Sequence, residues 1–328
     1  MNFLRRIVAG AVIALTPMLA GAQSPARAES FPTRPVTWIV PYAAGGGSDI
    51  VARAVAAQMG QILGQSVIIE NRPGASTTIG ASAVARASAD GYTVGTADVA
   101  TLALNRHLMP RIPYAPLTDF TFIGGVANLP YLLVVNPALP VNSIGELLTL
   151  ARKEPGKLAY GTSGPGGGAH VAMELLQQRT GTRFLFAPYK GAAPAMQDLM
   201  AGHIQFALID TGSAMQHIRS GKVRVIAVSM PERLASLPHV PTFAEAGVAN
   251  FVAYSWQGLI APKSVPEPVV ARLGEALARA LASDKVQKTL DTVGVEPAPA
   301  SSEKFEALVR QQDALWGGVI REANIKLE

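Results

Sequence analysis

The chain contains no cysteine, which removes thiol nucleophiles, thiolate metal sites, iron–sulfur clusters and disulfides in one step. Its five histidines, His107, His170, His203, His217 and His239, show neither HxxxH nor HxH spacing, so no zinc centre is expected. Charge of one sign is also scarce. The formal net charge is +5, and setting aside Arg5, Arg6 and Arg27 of the amino-terminal segment leaves +2. With no Lys/Arg run, nothing points to a polyanion, and no nucleic-acid partner is expected. Past the first residues there is no uninterrupted apolar stretch of membrane-spanning length.

What is present at the start is a targeting pattern. Arg5 and Arg6 precede an apolar run from Ile7 to Leu19, interrupted by Pro17, and the small-residue sites Ala20-Gly21-Ala22 and Ala26-Arg27-Ala28 follow. This reads as a secretory signal peptide over residues 1–28, which sends the protein to the periplasm. The arginine pair fits the twin-arginine signal poorly, and the general export route is expected. Cleavage after Ala28 leaves 300 of the 328 residues, enough for two domains with cores of their own, which need no disulfides.

Short apolar runs then alternate with helical patterns. Strands are expected at 36–40, 66–70, 92–97, 131–135, 157–161, 184–188, 204–209 and 223–228. Helices are expected at 49–63, 79–87, 143–152, 169–179, 195–201, 213–219 and 266–283. That alternation predicts α/β lobes, each a mostly parallel sheet flanked by helices. A strand, glycine loop, helix unit recurs: "TWIVPYAAGGGSDIVARAVAAQM" at 37–59, "KLAYGTSGPGGGAHVAMELLQQ" at 157–178 and a plainer "FLFAPYKGAAPAMQDLMAG" at 184–202. Ligands gather outside the carboxyl ends of parallel strands, where these loops lie.

Glycine lets backbone amides turn toward a ligand, and such loops at helix starts hold anions. Neither loop is a nucleotide motif of full form. The 45–49 loop lacks the GK[ST] of a phosphate loop, and Ile50 takes the place of the last glycine of GxGxxG. Gly164-x-Gly166-x-x-Ala169 meets the loosened dinucleotide pattern, but the acid for the ribose is missing from "FAPYK" at 186–190. GxSxG fails at Pro165 and at Ile50. Ser163 and His170 lie near enough to pair, which keeps an exported serine hydrolase as the alternative function. His170 otherwise bonds locally in the first helical turn or touches the ligand. Ser48 with Asp49, and Thr162 with Ser163, either cap helices and turns or bind. Asp210, ending the strand "IQFALID", orients a ligand or caps the next helix. Asp98, after "GYTVGTA", is equally ambiguous.

"VPYAAGGGSDIVAR", "IENRPGASTTIGA", "DGYTVGTADVATLALN", "LAYGTSGPGGGAH", "PYKGAAPAMQDLMAG" and "LPHVPTFAEAG" follow one another in the order of the Bug family's sequence blocks. Over nearly the whole chain from Pro35 onward, the sequence resembles these extracytoplasmic solute receptors of tripartite tricarboxylate transporters. The resemblance implies a two-lobed periplasmic binding protein fold of the second type, with lobe one at 31–128 plus 255–328 and lobe two at 129–254. The crossings fall in "VANLPYLL" and "VAYSWQG".

It further implies a monomeric receptor, not an enzyme and with no cofactor, that takes a small organic anion to membrane permease subunits. One carboxylate is gripped by loop backbone, and the far end is reached through ordered water. The implied ligand-binding residues are Tyr42, Ala43, Gly46, Gly47 and Ser48 in the first loop. Thr162, Ser163, Gly166, Gly168 and His170 serve in the second, with Gly191, Ala192, Asp210 and Asp98 around them. Ser76 and Thr77 stand where the family often has Gly-Gly, and Pro165-Gly166-Gly167-Gly168 is an unusual second loop.

Overall fold

The computed structural model describes residues 31–322, 324 and 325; the expected signal peptide and its cleavage sites lie outside the described residues. The β-branched run Val36–Val40 forms strand β1, almost wholly buried, as a strand covered on both faces must be. A glycine loop leads into helix α1, Gly47–Leu63, which buries Val51, Val55 and Met59 along one face at helical spacing and ends at Gly64. β2 (Val67–Asn71), α2 (Thr78–Ala85) and β3 (Thr93–Asp98) complete the first unit, with β2 and β3 parallel to β1 on its two sides. Ala75, Ser76 and Thr77, ahead of α2, all take left-handed backbone angles, with φ of 45°, 47° and 71°. Asn105 pins that turn by donating to the Ser76 carbonyl at 2.7 Å.

A π-helical turn, Ala100–Leu104, and α3, Asn105–Leu108, precede β4, the 16-residue strand Phe120–Val135. The second unit repeats the alternation: α4 (Ile144–Lys153), β5 (Ala159–Gly161), α5 (Gly168–Thr180), β6 (Leu185–Ala187), α6 (Ala192–Ala201), β7 (Phe206–Asp210), α7 (Thr211–Arg219) and β8 (Arg224–Val228). β9 (Tyr254–Pro262) then returns to the first unit. It is followed by α8 (Glu267–Leu281), α9 (Asp284–Thr292), β10 (Glu296–Ala300) and α10 (Ser302–Glu322).

The strand order is β2-β1-β3-β9-β4-β7-β5-β6, with β8 and β10 also on β4. β5 runs parallel to β6 and β7, as the βα rhythm predicts. The middle differs: β9 is antiparallel to β3 and β4, and β4 is antiparallel to β7. Antiparallel pairs need no covering crossover helix, so the alternating pattern carries no trace of them. β4 pairs β9 from Phe120 to Pro130 and β7 from Tyr131 to Val135, changing sheets within one strand. The result is a two-lobed α/β fold whose lobes share β4, and one apolar cluster runs from Ile39 and Ala97 to Phe206 and Leu208. No helix among the described residues is long and apolar enough to cross a membrane.

Candidate ligand-binding site

β1 and β3 run in the sense of β4, whereas β5, β6 and β7 run against it, so the strands of the two lobes point toward each other and the loops and helix starts that follow them meet near the middle of β4, where Tyr131 pairs with Asp210. α1, α5 and α6 begin at Gly46, Gly167 and Gly191, and none of the three N-caps makes a side-chain capping bond. Three other helices are capped by side chains: Ser143 accepts from Glu146, Asp210 from Ser213 and Ser283 from Val286. The first amides of a helix lack intrahelical partners and carry a partial positive charge. With no side chain of their own at the N-cap, these three helices bring their first backbone amides to one place.

There the structure encloses a cavity of about 30 Å³, lined by Tyr42, Ala43, Gly46, Gly47 and Ser48 from the first loop and by Ser163, Gly168, Ala192, Asp210 and Asp98 of the other expected positions. A wider cleft of about 610 Å³ shares Tyr42, Ser163, Gly164 and Gly167 with it and extends outward to Ile79 and Lys190. The lobes meet tightly around the inner space. The Gly47 amide donates to Ser213 Oγ across the lobes at 2.8 Å, and a Cβ placed on Gly191 would lie 3.0 Å from that of Ala43.

The remaining expected residues stand behind this lining. Thr162 Oγ1 closes its own turn, accepting from the Gly164 amide at 3.2 Å. Gly166 donates its amide to His170 Nδ1 at 3.1 Å, and the His170 ring stacks on Phe186 with centroids 4.0 Å apart. Burial pushes the His170 pKa down to about 4. An Nδ1 that accepts fixes the proton of the neutral ring on Nε2, which lies 3.6 Å from Glu174. The ring therefore has no free base nitrogen to offer Ser163, and the hydrolase pair does not form.

Asp49 does not cap α1 as a side chain at the N-cap would. It binds the Gly45 amide, Arg53 and Asn71. Although burial pushes its pKa up, those hydrogen bonds hold the carboxyl below the usual range. Ser48 Oγ instead accepts from the Gln257 amide. Asp210 does cap α7, accepting from the Ser213 amide at 2.9 Å, and it faces the cavity as well. Asp98 likewise has both roles: its Oδ1 accepts from the Thr101 amide at 3.0 Å and the Thr101 hydroxyl at 2.9 Å, and its Oδ2 from Tyr42 Oη. Burial pushes both aspartate pKa values up.

Leu129, Tyr131, Gly164, Gly167, Ala169 and Ser255 also line the cavity and were not among the expected residues. Leu129 and Tyr131 lie in an apolar strand that reads as core. The side chain of Ser255 and the Ala169 amide meet the Tyr131 hydroxyl. Among the described residues, no cluster of three or more His, Cys, Asp or Glu could hold a metal ion. Oriented amides at helix starts are a general means of holding an anion.

A family model described as "Tripartite tricarboxylate transporter family receptor" matches residues 51–325. Protein BugT of Bordetella pertussis is 36% identical over 319 residues, spanning 97% of this chain and 98% of that protein. The solved structure of R. palustris Rpa4515 with adipate is 37% identical with a TM-score of 0.88, over 90% of this chain and 100% of that one. MatC from Rhodopseudomonas palustris with bound malate is 33% identical with a TM-score of 0.85, over 88% and 100%. The chain therefore belongs to the tripartite tricarboxylate transporter receptor family, as a periplasmic solute-binding protein rather than an enzyme.

Proposed function

We propose that this protein captures a small organic acid between its lobes, with one carboxylate at the uncapped starts of α1, α5 and α6, and hands it to the membrane subunits of a tripartite transporter. The observation that carries this reading is the convergence of three glycine-capped helix starts on one cavity, with amides from both lobes. Charge-assisted hydrogen bonds contribute roughly 1.5–3 kcal/mol each, so a few amides hold a carboxylate without an arginine. The relatives solved with adipate and malate support an acid as the guest. The binding residues are Tyr42, Ala43, Gly46, Gly47, Ser48, Ser163, Gly168, Ala192, Asp98 and Asp210, with Thr162, Gly166, His170 and Gly191 shaping the loops around them.

The lobes divide at 128/129 and 254/255. The partner change of β4 after Pro130 and the pairing of Pro130 with Tyr254 support that division. The protein works as a monomer, exported through removal of residues 1–28. The intact mass of protein recovered from the periplasm tests the cleavage, and light scattering tests the monomer.

Binding is tested by thermal shift on protein refolded free of retained cargo, across a panel of small organic acids. At 100 times its Kd a ligand adds about 2.7 kcal/mol of stability, a rise of several degrees. A flat response across the whole panel overturns the proposal.

A further inference from the structure

The inner cavity holds two carboxyls and no lysine or arginine, an odd lining for a receptor of anions. Asp210 is engaged by the start of α7 and by both bonds to Ser213. Asp98 is 2% exposed, and its Oδ1 is taken up by the Thr101 amide and hydroxyl. Its Oδ2 receives the hydroxyl proton of Tyr42.

A phenol has one proton. Once that proton is committed to Asp98, the Tyr42 oxygen has only lone pairs left to present to the cavity it lines. Burial, and then the neighbouring Asp98 charge, hold the Tyr42 pKa well above its ordinary value, so the phenol does not ionise out of this arrangement. A carboxylate oxygen placed there meets an acceptor and a nearby negative charge. A hydroxyl, amide N–H or ammonium meets a partner.

We infer that the Asp98–Tyr42 pair sets ligand specificity, and that the guest is a monocarboxylate whose other end carries a hydrogen-bond donor (hydroxyl, amide or ammonium) rather than a second carboxylate. The inference rests on the carboxylate-receptor reading above and assigns the chemistry of the ligand's far end. It separates this chain from relatives whose structures hold the diacids adipate and malate.

The test uses ligands matched in chain length: succinate against succinamate, 4-hydroxybutyrate and 4-aminobutyrate, and adipate against adipamate, 6-hydroxyhexanoate and 6-aminohexanoate, by calorimetry on ligand-free protein. In at least one set a donor-bearing member is expected to bind about tenfold or more tighter than its diacid, the scale of one polar group left facing the wrong partner. In Asp98→Asn the amide nitrogen donates to Tyr42, which turns the phenol proton toward the cavity, and the preference is expected to shift toward the diacid by a similar factor. Tyr42→Phe removes the phenol and leaves Asp98 Oδ2 without its donor, a bare acceptor at the cavity, and is expected to sharpen the preference for donor-bearing ligands; it decides the matter if Asp98→Asn does not fold. Diacids binding as tightly as their partners, or selectivity unmoved in both variants, overturns the inference and leaves the receptor reading standing. No binding by any member of either class overturns both.

Discussion

Gly47 stands where no larger residue fits. A Cβ there would fall 1.9 Å from Asp210 Oδ1 and 3.1 Å from Leu129 Cδ2, and the obstruction lies between lobes, not within one. Gly47→Ala therefore strains the closed arrangement by about 1–3 kcal/mol while improving the helix locally. Ligand affinity is expected to fall roughly 5- to 150-fold with far-ultraviolet dichroism unchanged; calorimetry showing wild-type affinity would refute this contact. His170 gives a second prediction. Its folded pKa of about 4 lies below the 6.5 of an exposed histidine, so between those values the unfolded chain binds more protons. Stability is then lost as pH falls from 6.5 toward 4, by up to about 3 kcal/mol. The raised carboxyls of Asp98 and Asp210 act with the opposite sign in an overlapping window. The histidine is isolated by subtracting the His170→Gln denaturation profile from that of the wild type, and a flat difference would refute its role. At this scale Gly46, Gly47, Ser48, Ser163 and Gly168 of the cavity lining were legible, because loops at strand ends advertise exposed amides, while Gly164, Gly167 and Ser255 were not among the expected residues. Tyr131 and Leu129 were not legible, since a side chain facing a cavity from a strand has the same pattern as one facing the core.

The helices explain themselves through their ends. α1 stops because Gly64 turns left-handed with φ of 73° and sends its amide back to the Gly60 carbonyl at 3.0 Å. An added Cβ at Gly64 meets nothing within 4 Å, so Gly64→Ala isolates the backbone cost, about 1–2 kcal/mol. Urea unfolding is expected to show that loss at unchanged slope, with Gly64→Asn losing less; an Ala variant as stable as the wild type would mean that the helix end rearranges. The start of α1 is the reverse case: Gly46 offers no side-chain cap, and the Gly47 amide reaches Ser213 Oγ of the other lobe instead. Elements with a local signature were legible to within a few residues, α1, α5 and β1 among them. β9, β10 and the first half of β4 were not. β10 reads "EPAPA" and β4 begins "FTFIGGVANLP", where proline and glycine mimic loop and the pairing that makes them strands comes from residues more than a hundred positions away.

Across the molecule, the same close contacts that enclose the cavity must part to admit a guest, since about 30 Å³ accommodates little more than water. The lobes are joined by β4 and β9, which pair from Phe120 to Pro130 with two register shifts, while Gly47 against Asp210, Gly191 against Ala43 and Gly168 against Val99 are close approaches at the ends of strands and helices. Bending is therefore expected at the strands' partner change near Pro130, and separation at the glycine contacts, as in hinge closure around a ligand. The absence of cysteine makes this directly measurable, because Ile79→Cys and Lys190→Cys place the only two thiols at the outer cleft. Spin labels at the two sites are expected to report one short distance with bound ligand and a longer or broader distribution without it. Adding Gly47→Ala should hold part of the population at the longer distance even at saturation, since a ligand shifts the equilibrium only by its differential affinity for the two states. Identical distributions with and without ligand would mean that the guest enters a rigid molecule, and the tightness of the glycine contacts would then have to serve stability alone.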